Sequence, residues 1–389
     1  MKRKIRMGMV GGGSGSFIGA VHRMAANLDG QVELVCGAFS SRPEVARQSG
    51  IDLFLPQDRV YTSFEEMVEK EAVLPEDKRM DFVSIVTPNH VHFEPAKLAL
   101  EKGFHVVCEK PLCFSLEEAY ALRKLVEQSD LEFCVTHTYT GYPMVKEARD
   151  LIKAGKLGKI RKVIVEYPQG WLSTNVEASG QTQASWRTDP KRSGMGGSVG
   201  DIGTHAENLA EYISGLKITE LCADVSTMVE GRLLDDDANI LLHFDNGAKG
   251  VLHCSQICAG EENDLNIRIY GEKGGIVWKQ MEPNTLLVKM HEAPAQIYRT
   301  GGDRPYLGEG AQAHTRVPAG HPEGYLEAFA NLYHNFARVL QAKLEGKQPD
   351  PQHQDYPTIY DGVRGMEFIV SVIKSSESQE KWFKFISEE

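Results

Sequence analysis

The chain has 389 residues, 41% of them hydrophobic and 25% charged, with a net charge of −11; this excludes a disordered or fibrous protein and fits a globular chain of roughly two domains. The one basic cluster, Lys2 to Arg6, reads as a solvated lead-in to the first strand, so an acidic chain of this kind is not expected to bind nucleic acid. The first apolar run, Met7 to Val10, stops at glycines too soon for a signal peptide or a membrane span, and a cytoplasmic protein with no membrane partner is the expectation.

The strand-like run Ile5 to Val10 leads directly into Gly11-Gly12-Gly13-Ser14-Gly15-Ser16-Phe17-Ile18-Gly19, and helical Ala20 to Leu28 follows. Glycine lets the backbone turn tightly and approach a pyrophosphate, whose charge a helix N-terminus stabilises. Gly11 and Gly13 fill the first two positions of a dinucleotide fingerprint, and the third is either Ser16 or Gly19. Gly11, Gly13, Ser14, Gly15, Ser16, Phe17 and Ile18 are therefore expected to hold a nicotinamide dinucleotide. The second strand, Val32 to Phe39, ends in Ser40-Ser41-Arg42, with no carboxylate for the ribose hydroxyls. A hydroxyl pair followed by arginine suits a 2′-phosphate, which favours NADP over NAD; alternatively, Ser41 caps the helix opening at Pro43 and Arg42 faces water.

Strands at Phe82 to Val86, His105 to Cys108 and Leu131 to Thr136 alternate with helical segments. Two of those segments carry capping boxes, Ser63 with Glu66 and Ser115 with Glu118, and Gly103 stands where a helix needs a left-handed residue to end. Strands linked by crossover helices make a doubly wound parallel sheet covered on both faces, with ligands in the crevice beyond the carboxyl ends of its strands. Thr87-Pro88-Asn89-His90-Val91-His92 and Glu109-Lys110-Pro111 occupy such ends. Thr87, Pro88, Asn89, His92, Glu109, Lys110 and Pro111 are expected beside the cofactor, with completion of local hydrogen bonds an equal alternative for His90 and His92. Lys110, kept extended by the following proline, is placed to orient the nicotinamide and polarise a substrate oxygen.

Beyond about residue 160 the pattern turns to hairpins. Ala238 to Phe244 meets Ala248 to Gln256 through Asn246-Gly247, and Leu265 to Tyr270 meets Gly275 to Lys279, so this half reads as an antiparallel sheet. Leu326 to Leu340 and Gly362 to Ile373 are helical, and the polar stretch from Gly301 to Gly320 is long enough for a covering loop. Cysteines lie mostly in apolar runs as reduced hydrophobes, and His253, Cys254 and Cys258 match no structural zinc spacing, so no metal is expected.

Between the hairpins and the first sheet lies Gly196-Gly197-Ser198-Val199-Gly200-Asp201-Ile202-Gly203-Thr204-His205. Helical spacing from Val199 to Ile213 gives an apolar stripe of Ile202, Ala206, Leu209 and Ile213, and a polar stripe of Asp201, His205, Asn208 and Tyr212. That is the face of an active-site helix. Tyr139, Tyr167, Trp171, Trp186, Arg187 and Asn208 suit a polyhydroxylated ring, although core packing is an equal reading for Tyr139 and Tyr167. Arg316 and His321 are candidates to reach the site from the covering loop.

At these residues the sequence resembles the glucose-fructose oxidoreductase, inositol dehydrogenase and rhizopine-catabolism family (Gfo/Idh/MocA). The resemblance spans nearly the whole chain, through the glycine loop, Thr87 to His92, Glu109-Lys110-Pro111, Trp186-Arg187 and the Gly196 to His205 block. It departs in a glycine loop about three residues longer and in Asn208, where an acid is common. The resemblance implies an α/β Rossmann domain, residues 1–136, followed by an α+β domain on an open, mainly antiparallel sheet, residues 137–389, that serves as the interface of a homo-oligomer, a dimer or tetramer. It also implies a catalytic set of Lys110, Asp201 and His205. The expected reaction is NAD(P)-dependent hydride transfer with a secondary alcohol or ketone of a sugar, inositol or related cyclic polyol, His205 as base, Asp201 orienting it and Lys110 holding the alkoxide. Its rivals are a glycosidase that uses bound NAD for transient oxidation and a non-catalytic dinucleotide-sensing regulator.

Overall fold

A computed structural model describes residues 3–388, so Lys2 of the basic lead-in lies outside the described residues. The chain forms two compact units, one of residues up to Thr136 together with Phe329–Val363, the other of His137–Ala328 together with residues from Arg364 onward. Residues 329–363 thus belong to the first unit, although they follow the second in sequence.

The first unit alternates β1 (Ile5–Gly11), α1 (Phe17–Leu28), β2 (Val32–Ala38), α2 (Pro43–Asp52), α3 (Phe64–Ala72), β3 (Phe82–Val86), α4 (Phe93–Glu101), β4 (His105–Cys108), α5 (Leu116–Glu127) and β5 (Phe133–Val135). The strands pair in parallel in the order β2-β1-β3-β4-β5, so the direction of winding reverses between β1 and β3. Every residue of β3 is buried, as a strand covered on both faces must be. The expected capping box of α5 is complete, with Glu118 N donating to Ser115 Oγ and Ser115 N to Glu118 Oε2. That of α3 is only half formed: Ser63 Oγ accepts from Glu66 N, but the Glu66 carboxylate turns to the backbone and hydroxyl of Thr62, which compete for it. Gly103 ends α4 in the left-handed region, at φ 82°.

The second unit is built on β6 (Ile160–Pro168), β7 (Ile218–Ser226), β8 (Asp237–Phe244), β9 (Lys249–Ser255), β10 (Asn266–Gly271), β11 (Gly274–Lys279), β12 (Thr285–Met290), β13 (Ala293–Arg299) and β14 (Phe383–Lys384). They form one sheet in the order β13-β12-β11-β10-β6-β9-β8-β7-β14, antiparallel throughout except that β6 and β9 run parallel. The Asn246-Gly247 turn is as expected: Gly247 has φ 89°, and Asn246 Oδ1 accepts from Ala248 N. The stretch read as a covering loop holds a short helix, Glu309–Ala313, and the two late helices run longer than their apolar spacing suggested, Tyr325–Leu344 and Ile359–Glu377. Among the described residues no helix is long and apolar enough to cross a membrane.

Candidate functional site

The glycine loop leaves β1 at the winding reversal, where the carboxyl end of β3 also lies, which is where a doubly wound sheet holds its ligand. Gly11 and Gly12 have φ of 82° and 74°, and the loop is held by Gly13 N on Phe39 O and Ser14 N on Ser49 Oγ, 2.9 Å. A Cβ on Gly19 would sit 2.3 Å from Gly12 Cα. Gly19, not Ser16, is therefore the residue that lets helix and strand meet, and Ser16 is the N-cap of α1, accepting from Gly19 N. Gly15 stands with open space around it, and Phe17 is exposed. A tightly folded, glycine-lined turn running into a helix N-terminus fits a pyrophosphate. Ser49 escaped the sequence reading, since a serine inside a helix carries no motif.

At the end of β2 the structure puts Arg42, not Ser41, at the N-cap of α2. Its backbone N donates to Ser40 Oγ, while the side chains of Ser41 and Arg42 are exposed. Beyond β3, Thr87 has a buried hydroxyl with no hydrogen-bond partner among the described residues, Asn89 is buried and His90 exposed. His92 is fully buried between Thr87 O, 2.8 Å, and Pro111 O, 3.0 Å. Burial holds its ring below the usual histidine range despite those carbonyls and the Glu109 charge. Its role in this structure is to tie two turns together.

The turn after β4 carries Lys110, and the Lys110–Pro111 peptide is cis. Glu109 points inward: its Oε1 accepts from His22 Nε2, 2.8 Å, and Thr136 Oγ1, 2.5 Å. Burial would raise the carboxyl, but the His22 hydrogen bond, with the neighbouring Lys110 charge and Thr136, outweighs it and holds Glu109 at about 2.

In the second unit the predicted regular helix from Val199 is interrupted. Val199–Gly203 is a π turn and only Thr204–Ser214 is α-helical. Bonds at i→i+5 replace the regular stepping there, and such turns often mark functional sites. The turn is anchored by Asp235, whose carboxylate accepts from Gly197 N, Ser198 Oγ and Val199 N. A Cβ on Gly197 would lie 2.2 Å from Asp235 O, so glycine is required there.

Asp201 Oδ2 accepts from Gln256 Nε2, 2.9 Å, and lies 3.4 Å from Arg187 Nε. The Arg187 guanidinium stacks over Trp186 at 4.2 Å and reaches Trp171 at 6.0 Å. His205, 7% exposed, meets the ring of Tyr139 edge-on at 4.8 Å and that of His137 at 5.6 Å. Tyr139, Tyr167 and Asn263 are mutually hydrogen-bonded, and Asn263 Oδ1 also accepts from Gln169, whose own Oε1 accepts from Trp171 Nε1 and Gln256. A continuous run of amides and phenols thus links Asp201 to the aromatic rings against His205. Asn208 is 7% exposed and its Oδ1 has no hydrogen-bond partner among the described residues. Tyr212, last of the polar stripe, is taken up by Lys146 and Arg149. Arg316 is engaged by Glu323 and Glu327 O, and His321 is exposed on Pro318 O. Sequence reasoning missed His137, Gln169, Gln256, Asn263 and Asp235.

Residues 5–137 match an oxidoreductase family with an NAD-binding Rossmann fold, and residues 145–277 match the GFO/IDH/MocA C-terminal domain. The crystal structure of an oxidoreductase from Sinorhizobium meliloti is similar at 46% identity and TM-score 0.88, covering 98% of this chain and 99% of that one. An inositol dehydrogenase homologue from Azotobacter vinelandii, solved with NADH and myo-inositol, is similar at 35% identity and TM-score 0.91, covering 99% and 98%. Levoglucosan dehydrogenase of Pseudarthrobacter phenanthrenivorans is 28% identical over 91% of this chain and 93% of its own. With both halves matched, the chain belongs to the Gfo/Idh/MocA family of NAD-binding oxidoreductases.

Proposed function

We propose that the chain is a dehydrogenase of a cyclic polyol or sugar, oxidising one secondary alcohol to a ketone, with Lys110, Asp201 and His205 as its catalytic set. The observation that carries this reading is the polar, aromatic-walled cluster around Asp201 and His205, whose amides, phenols and indoles match the alternating hydroxyls and apolar faces of a sugar ring. The relatives that bind myo-inositol or act on levoglucosan support the same substrate class. A bound nicotinamide would supply the acceptor for the hydride of the alcohol carbon. His205 takes the hydroxyl proton, Asp201 favours the resulting imidazolium by its charge, and Lys110 stabilises the developing alkoxide. Asn208 offers the substrate a buried acceptor, and Trp171, Trp186 and Arg187 border it. NAD is the cofactor of the family fold, and the Ser40-Ser41-Arg42 end of β2 supports acceptance of NADP as well.

We infer further that the protein is a homo-oligomer joined through the second unit's sheet. The test of function is reduced-dinucleotide absorbance with a panel of inositols, anhydrosugars and hexoses, run beside glycoside release. His205→Ala is expected to lower kcat by ~10²–10⁴-fold with NADH affinity retained. Full turnover in that variant would remove the base; glycoside release without net reduction would favour the glycosidase, and binding with neither would favour the regulator.

A further inference from the structure

The first unit contains a buried polar network that the proposed chemistry does not use. His22, on α1 directly behind the glycine loop, is 0% exposed and cannot itself touch a ligand. Its Nε2 lies 2.8 Å from Glu109 Oε1, and its Nδ1 lies 2.6 Å from Tyr333 Oη, which in turn meets Ser84 Oγ at 2.9 Å. An ionised carboxylate only accepts, so Nε2 donates to Glu109, and in the neutral ring Nδ1 accepts from Tyr333. The network thereby runs in one direction, from Ser84 through Tyr333 and His22 to Glu109, with Thr136 donating from the other branch. A charge buried at this depth is costly unless every lone pair is answered, and an apolar side chain of similar volume would serve packing as well or better.

What the network does follows from where its acceptor sits. Glu109 N donates to Ile85 O, which extends the sheet ladder one residue past β4, and the chain bends at the next residue, Lys110. Fixing the Glu109 carboxylate against α1 therefore fixes the roll of the chain and the direction in which Lys110 leaves it. On the far flank Pro111 O is held by His92. Lys110 is the residue between two clamps, one of which is rooted in the helix that opens at the dinucleotide loop.

We propose that His22 is a positioning residue for Lys110, acting through its hydrogen bond to Glu109. This rests on the role of Lys110 argued above, and the test separates the two. In the ligand-free protein, hydrogen exchange of the amides from Glu109 to Ser115 is expected to quicken by ~10-fold or more in His22→Leu, with β2 unchanged. In the same variant kcat is expected to fall by ~30-fold, while polyol KM and NADH Kd stay within ~3-fold. His22→Gln, which keeps a donor for Glu109, is expected to recover most of the loss. Unchanged exchange overturns the proposal, as does quickening throughout the unit, a proportional loss of NADH affinity, or wild-type kcat in His22→Leu where Lys110→Met is inactive. If His22→Leu does not fold, Glu109→Gln and His22→Gln are read in the same two measurements, and wild-type values in both overturn it. Lys110→Met with full turnover would instead sink the reading of the lysine, whatever the exchange shows.

Discussion

Arg42 shows how a single side chain can be removed without disturbing the element it opens. Arg42 makes no side-chain cap at α2, and its backbone N rests on Ser40 Oγ, so the exposed guanidinium is dispensable for the fold. If it holds a 2′-phosphate, Arg42→Ala loses one charge-assisted contact: kcat/KM with NADP is expected to fall by ~10-fold, with NAD within ~2-fold and the unfolding midpoint unchanged. Equal loss with both dinucleotides, measured by steady-state kinetics, would exclude that role. His105 makes a second test, of stability. Burial first, and then the Lys343 charge, push its ring from 6.5 down to about 4, and its Nδ1 accepts from Glu132 N. Folded, the ring stays neutral where the unfolded chain binds a proton, so stability is full above pH ~6.5 and is lost as pH falls towards ~4, by up to about 3 kcal/mol. Urea unfolding of His105→Gln at a series of pH values is expected to lack that share of the slope. Lys110 and His205 stood out as candidates because they follow punctuated elements, a strand end before proline and a glycine-led helix. Gln169 and Gln256 were not: amides carry no motif, and only the parallel pairing of β6 with β9, Pro168 opposite Ser255, brings them together.

Among elements, the strands of the first sheet stood out as short apolar runs bounded by glycine and helix caps. β13 gave no such signal, since nearly all its residues are exposed and no alternation marks it. The π turn was equally hidden. One extra residue in a single turn leaves the apolar stripe intact, and Ile202, Ala206, Leu209 and Ile213 are all buried as expected. The junction of β1 with α1 yields a prediction whose sign runs against helix propensity. Alanine is ordinarily favoured over glycine inside a helix by about 1 kcal/mol. At Gly19 the added carbon would lie 2.3 Å from Gly12 Cα and 2.9 Å from its carbonyl oxygen, both backbone atoms that cannot rotate away. Gly19→Ala is therefore expected to cost ~1–3 kcal/mol in thermal or urea unfolding and to weaken NADH binding by ~10-fold or more. A stabilised Gly19→Ala would show that helix and strand are not in contact through that glycine.

For the molecule as a whole, the open sheet face points to a second copy of the chain. An antiparallel sheet with one face on its core ordinarily turns polar side chains outward. Here the cross-strand registers align Cys222, Leu241, Val251, Ile164, Arg268, Val277, Leu287 and Ile297 in one row across eight strands. Their neighbours Ile240, Leu252, Val163, Ile267, Ile276 and Leu286 are buried on the opposite face, whereas Leu241 is 47% and Ile297 64% exposed. The one charge in the row, Arg268, is paired with Glu166 at 2.7 Å. We propose this stripe, cut through by no unpaired charge, as the association surface of the homo-oligomer. Because it repeats in every copy, a twofold axis crossing it would lay row against row in a closed assembly. Light scattering is expected to give two or four times the mass of one chain. Leu241→Glu, which buries a charge at such an interface but leaves the core face untouched, is expected to give single chains with unaltered circular dichroism. A wild-type protein of one-chain mass at micromolar concentration would leave the stripe without its partner. A Leu241→Glu protein that still assembles would place the interface elsewhere.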